Sequence, residues 1–209
     1  MVKLRILMQT TRDQIVTRIE RLPKGDAFSA KDFLDIASRS TIDMALASLT
    51  RSGSIRRVRR GLYDVPRVDP ALGGELSPNT DRAAQAIARR QRWRIIPEGA
   101  WAANLLGLST QVPAKIVYLT DGPSKTVLIG RRTIHLKHAG PKIMTGLESR
   151  FALVVQALRH LGKDGVRPQE ITKLRVLLSP AEKRRFLSDA RFGVDWIYEV
   201  AKRVKETTA

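Results

Sequence analysis

The sequence predicts an α+β protein in two parts: an N-terminal unit of three helices closed by a basic hairpin, then a larger mixed α/β domain with a helical C-terminus. Three observations predict it. Apolar residues recur at helical spacing three times between residues 11 and 52, and each run ends in a turn signal. Two short strand-like runs then flank a glycine, with five arginines between positions 51 and 60. Past a Pro/Gly-rich stretch, strand-like and helical runs alternate, and from Gly146 onward the pattern is helical.

The elements follow in order. Thr11 and Gln14 have capping-box spacing, and Ile15, Ile19 and Leu22 form one apolar stripe, so a helix is expected over Thr11–Leu22. Pro23-Lys24-Gly25-Asp26 ends it. Ser29 offers an N-cap and Asp32 an acidic first turn for a short second helix, with Phe33, Leu34 and Ala37 inward. A third helix is expected from the turn at Ser38–Thr41 to about Ser52, burying Ile42, Ala45, Leu46 and Leu49, with Gly53 as its stop. Ile55–Val58 and Leu62–Val65 read as strands, and Gly61 supplies the positive φ of a tight turn between them. Domain limits of 1–66 and 79–209 follow, with Arg67–Pro78 as linker. The second domain is read as a helix over 80–92, a strand over 94–96 and a helix over 98–106. Strands at 114–120, 126–129 and 133–138 come next, and helices at 147–162, 168–177, 180–190 and 194–205 complete it. Pro168 and Pro180 suit first turns.

Charge narrows the class of partner. The chain's 209 residues carry 38 Lys plus Arg against 20 Asp plus Glu, a net charge of +18. Residues 1–66 have 13 basic and 7 acidic side chains, 67–145 have 12 and 5, and 146–209 have 13 and 8. The excess therefore belongs to the whole chain and not to a tail, and it calls for an acidic counterpart such as nucleic acid. With no cysteine, disulfides and thiolate metal sites are excluded, and a reducing cytoplasm is the expected compartment. No apolar run approaches the ~20 residues that span a bilayer, so no membrane partner is expected. The first residues lack the long apolar core and cleavage site of a signal peptide.

Three helices followed by a basic hairpin is the order of a winged helix-turn-helix. If Ile42, Ala45, Leu46 and Leu49 face the core, Ser40, Met44, Ala47, Ser48 and Arg51 face away. That narrow face of hydroxyls with a terminal arginine suits a major groove. Arg59 and Arg60 at the hairpin tip suit phosphate or minor-groove contact, while alternation puts Arg56 and Arg57 on opposite sides. The expected contact set is Ser40, Thr41, Met44, Ser48, Arg51, Arg56, Arg57, Arg59, Arg60 and Tyr63. The competing explanation is an arginine-rich hairpin that is merely solvated. Agreement of order, spacing and basic wing favours duplex DNA.

The run Ser54-Ile-Arg-Arg-Val-Arg-Arg-Gly-Leu-Tyr63, after a short Ala/Leu/Ser-rich helix, resembles the winged-helix domain of AbiEi-type antitoxins of type IV (AbiE) toxin–antitoxin systems. The helix near 80–92, Ile-Pro-Glu-Gly-Ala at 96–100 and the strand ending at Thr120-Asp121-Gly122 resemble that family's second domain. The resemblance implies an operator-binding repressor that counteracts a nucleotidyltransferase-like toxin. A plain transcriptional regulator with no toxin partner stays open. So does an interaction protein that neutralises a toxin or effector through its C-terminal domain.

Enzyme chemistry finds little footing, and neither catalytic residues nor a cofactor is expected. His135 and His138 sit three apart on a predicted strand and point to opposite faces, which disfavours a metal pair. Gly73-Gly74-Glu75-Leu76-Ser77 lacks the lysine and strand–loop–helix setting of a phosphate loop. Asp121 reads as a turn residue, and Trp93, Trp101 and Trp196 as core. Lys183, Arg184, Arg185, Arg191, Lys202, Arg203 and Lys205 make the last third basic. That face is either solvated or a second contact to DNA or an acidic partner.

Overall fold

The first helix begins at Thr11 as expected, but its cap is Thr10 and not Thr11. In the computed structural model, which describes residues 10–144 and 150–206, Thr10 caps α1 (Thr11–Glu20) and exchanges hydrogen bonds with Asp13. The Thr10 N–H donates to the Asp13 carboxylate at 3.0 Å and the Asp13 N–H to the Thr10 hydroxyl at 3.2 Å. An ionised carboxylate accepts from the cap more strongly than the Gln14 amide would, and this moves the box by one residue. Residues 1–9 and the first residues of the helix expected at 147–162 lie outside the described residues.

The chain separates into two compact units: residues up to Trp93 together with Leu128–Arg132, and Arg94–Val127 together with Thr133 onward. In the first unit α1 leads to β1 (Ala27–Phe28), a 3-10 turn at Ala30–Phe33, α2 (Arg39–Arg51), β2 (Arg56–Arg59) and β3 (Leu62–Asp64). β3 lies between β1 and β2, antiparallel to both. This order and pairing is the connectivity of a winged helix. β1 is too short for its alternation to register in sequence.

The core of this unit is built on the apolar stripes read from the sequence, to which the fold adds Phe28 of β1. Ile15, Ile19, Phe28, Phe33, Ile42, Leu46, Leu49 and Ile55 are all buried, and Phe28 meets Phe33 edge-on at 5.5 Å. Burial of each large side chain contributes about 1.5–3 kcal/mol. Leu34 is a correction: expected inward, it is half exposed. The segment is a single 3-10 turn with three residues per turn, so an α-helical face does not apply to it. Ser29 does start it, with its N–H and hydroxyl both donating to Asp32 at 2.7 and 3.0 Å.

The stretch expected as a linker is ordered, and the unit continues past it. β4 (Val68–Asp69) and β5 (Gly74–Glu75) pair as a small hairpin over a 3-10 turn at Pro70–Leu72. α3 (Thr80–Gln91), which the sequence placed with the second domain, packs on β1 and β3. Side chains explain the docking. Arg82 pairs with Asp26 at 3.2 Å, and Arg89 donates to the Ala27 carbonyl at 2.9 Å while pairing with Asp32 at 3.5 Å.

Most of a mixed sheet and a helical bundle make up the second unit. β6 (Ile95–Pro97), β7 (Ile116–Thr120), β8 (Lys125–Ile129) and β9 (Arg132–His138) lie in the order β6-β7-β9-β8, with β7 and β9 parallel. α4 (Gly99–Leu105) contributes Trp101, whose indole N–H donates to the buried Tyr118 hydroxyl at 2.7 Å. α5 (Pro141–Met144), α6 (Arg150–Leu161), α7 (Pro168–Leu177), α8 (Pro180–Ala190) and α9 (Asp195–Lys205) follow. Ala102, Ala103, Val154, Ala157, Leu174, Phe186, Ile197 and Val204 form their common core. Trp101 is core as expected, whereas Trp93 and Trp196 are half-buried. Among the described residues no helix is long and apolar enough to cross a membrane.

Candidate nucleic-acid interface

α2 presents the face that its inward stripe implies. Ser38 caps it, accepting from the Thr41 N–H at 3.4 Å, and Ile42, Ala45, Leu46 and Leu49 are buried. On the other side Ser40, Met44, Ala47 and Arg51 are exposed, Met44 at 66%. The hydroxyls are not idle. Ser40 and Thr41 both share a hydrogen bond with the Ser38 hydroxyl at 3.0 and 2.9 Å, and Ser48 accepts from Arg12 at 3.3 Å. Asp43 is held by Arg39 at 2.8 Å, one turn away.

The wing divides the expected arginines. Arg56 turns inward: its Nε and Nη2 donate to the two carboxylate oxygens of Asp64 at 3.0 and 2.6 Å, and Nη1 donates to the Glu75 carboxylate and, at 2.8 Å, to the Leu76 carbonyl. Asp64 is 1% exposed. Burial works against the charge on Arg56, but the hydrogen bonds and charge of Asp64, with Glu75 behind them, outweigh it and raise its pKa. Arg56 thus leaves the expected contact set, because each of its guanidinium nitrogens is engaged in holding the wing together and to the β4–β5 hairpin. Tyr63 is half-buried with its ring stacked on Phe28 at 6.1 Å, so its aromatic body serves the core.

The remaining wing cations face outward. Arg57 and Arg60 are exposed and Arg59 is half-buried. A register shift between Arg57 and Arg59 re-aims the strand as it enters the turn, where Gly61 sits at φ +73°. Among the described residues the side chains of Arg51, Arg57, Arg59 and Arg60 have no acidic partner, whereas Arg18, Arg39, Arg56, Arg82 and Arg89 are each paired. Four guanidinium groups without acidic partners thus lie between positions 51 and 60, at the end of α2 and on the wing.

One residue near this site escaped the sequence. Arg90, in the last turn of α3, donates from Nη1 to the carbonyls of Arg60 and Gly61 at 3.4 and 3.1 Å. Its own carbonyl accepts from Lys31 at 2.9 Å. Burial, and then the charges of Arg59 and Arg39, push its pKa below the ordinary arginine value. Two adjacent basic residues at a helix end were the only sequence signal, and solvent exposure explains that pattern equally well.

Two of the three histidines are engaged within the sheet: His138 Nδ1 lies 2.9 Å from the Gly122 carbonyl, and His135 Nδ1 lies 3.3 Å from the Thr126 hydroxyl. Asp121 accepts from the N–H and the Nε of Arg94, both at 2.8 Å, and so ties the turn after β7. Among the described residues no group of three or more His, Cys, Asp or Glu side chains is placed to hold a metal ion.

An α+β chain whose first unit carries helices and a three-stranded sheet with a basic hairpin, followed by a sheet-and-helix unit, is the class these features define. The chain belongs to the family described as "Family of unknown function (DUF6088)", whose model matches residues 14–186. It is similar to a solved structure, the RV2827C protein from Mycobacterium tuberculosis, at 16% identity over 94% of this chain and 76% of that one, with a TM-score of 0.39. No curated protein matches the chain.

Proposed function

We propose that the chain is a DNA-binding transcriptional repressor that sets α2 in the major groove of an operator and clamps flanking phosphates with its wing. The observation that carries this function is the set of arginines without acidic partners, Arg51, Arg57, Arg59 and Arg60, beside the exposed face of α2. Proteins hold their charges near counter-charges, and a cluster left open on an element shaped for a groove suits a polyanion. Ser40 and Met44 on the exposed face of α2, and Ser48 beside them, are the base-reading candidates, with Arg51 able to meet guanine in a bidentate fashion.

The finer role is that of antitoxin in a type IV toxin–antitoxin system. It rests on the resemblance of Ser54–Tyr63 to AbiEi-type antitoxins, with a nucleotidyltransferase-like toxin as the second partner. Binding, and no catalytic step, is the activity proposed.

Electrophoretic mobility shift on the gene's own upstream duplex tests the first role. A shift that resists random competitor and disappears in folded Arg59→Ala/Arg60→Ala is expected, and a normal shift by that variant overturns the wing clamp. Co-purification with the product of an adjacent nucleotidyltransferase-like gene tests the second. A chain that neither binds nor protects against that product is a regulator alone.

A further inference from the structure

Arg90 sits on α3, outside the helix-turn-helix, yet its guanidinium is fixed against the wing turn. Nη1 is spent on the carbonyls of Arg60 and Gly61. Nε and Nη2 have no partner among the described residues. These two nitrogens form the straight edge of the guanidinium, which matches two oxygens of a phosphate. The same helix pairs Arg82 with Asp26 and Arg89 with Asp32, but offers Arg90 no carboxylate. We propose that Arg90 and Arg59 together seat one backbone phosphate of duplex DNA, which makes α3 part of the interface and rests on the DNA-binding function proposed above.

Two features strengthen the assignment. The wing carbonyls orient the guanidinium before any ligand arrives, so little side-chain entropy remains to be lost on binding. Burial and the nearby charges of Arg59 and Arg39 already disfavour the cation, and the charge of an arriving anion offsets both.

Arg90→Gln tests the seat, because it removes the charge and leaves a polar side chain too short to reach the wing carbonyls. With the upstream duplex, a weaker Kd is expected, and a plot of log affinity against log salt that is shallower by about 0.9, one phosphate's share. Arg90→Lys, which keeps the charge, should keep the wild-type slope. An Arg90→Gln variant with wild-type affinity and slope overturns the seat while leaving the DNA-binding function standing. A wild-type chain without salt-dependent duplex binding overturns both. Should Arg90→Gln fail to fold, phenylglyoxal modification of the wild-type chain decides: duplex should protect Arg90, and equal modification with and without duplex rejects the seat.

Discussion

Arg56 and Arg57 are neighbours of one type on one strand, and the fold gives them opposite tasks. Arg56 neutralises the buried Asp64, so removing either partner strands a charge inside the wing. Arg56→Ala or Asp64→Ala is expected to lower unfolding free energy by about 3 kcal/mol, read by urea denaturation. Arg57→Ala, on the exposed side, should change stability by less than about 0.5 kcal/mol yet weaken duplex binding. Strand alternation told the two apart in sequence but did not say which of them faces inward. That choice is made by Glu75 and Leu76, nineteen and twenty residues away in a segment that read as linker. Local periodicity carries no record of such a contact. The α2 stripe is the opposite case: four apolar residues at 3-4 spacing defined the inward face, and the exposed face followed from it.

At the scale of elements, the hairpin turn and α3 depend on each other. Gly61 takes φ +73°, and a Cβ there would stand 3.0 Å from Arg90 Nη1. Gly61→Ala should therefore cost about 1–2 kcal/mol in backbone strain and displace Arg90, so that duplex affinity falls along with the thermal midpoint. Wild-type affinity in a folded Gly61→Ala variant with a depressed midpoint would separate the turn from the interface. α3 itself was legible as a helix, and its bounds were read to within one residue. Its allegiance was not legible. Pro66 and Pro70 are strong punctuation, and the side chains that bind α3 to the first unit, Arg82 and Arg89, look like any solvated helical arginines until Asp26, Asp32 and the Ala27 carbonyl are placed beside them.

Across the whole molecule, acid stability follows from carboxylates held below their ordinary pKa. Hydrogen bonds from Thr10 lower Asp13, and the Arg18 hydrogen bonds lower Asp35. For Asp121 burial opposes ionisation, but the Arg94 bonds prevail and the pKa is again lowered. A carboxylate lowered in the folded state stabilises above its unfolded pKa, and that contribution is lost as pH falls through the folded value. The thermal midpoint should hold from neutrality to about pH 5 and decline below about pH 4. The net charge of +18 points to a polyanionic partner without locating the interface. The interface is assigned to the end of α2 and the wing, where Arg51, Arg57, Arg59 and Arg60 stand without acidic partners beside the exposed α2 face. The number of phosphates that the wing neutralises is read from the salt dependence of binding to the upstream duplex, measured by fluorescence anisotropy. Folded Arg59→Ala/Arg60→Ala should show a slope shallower than wild type by about 1.8, the share of two phosphates, together with weaker affinity. Equal slopes and equal affinities for the two proteins would contradict the wing as the DNA clamp.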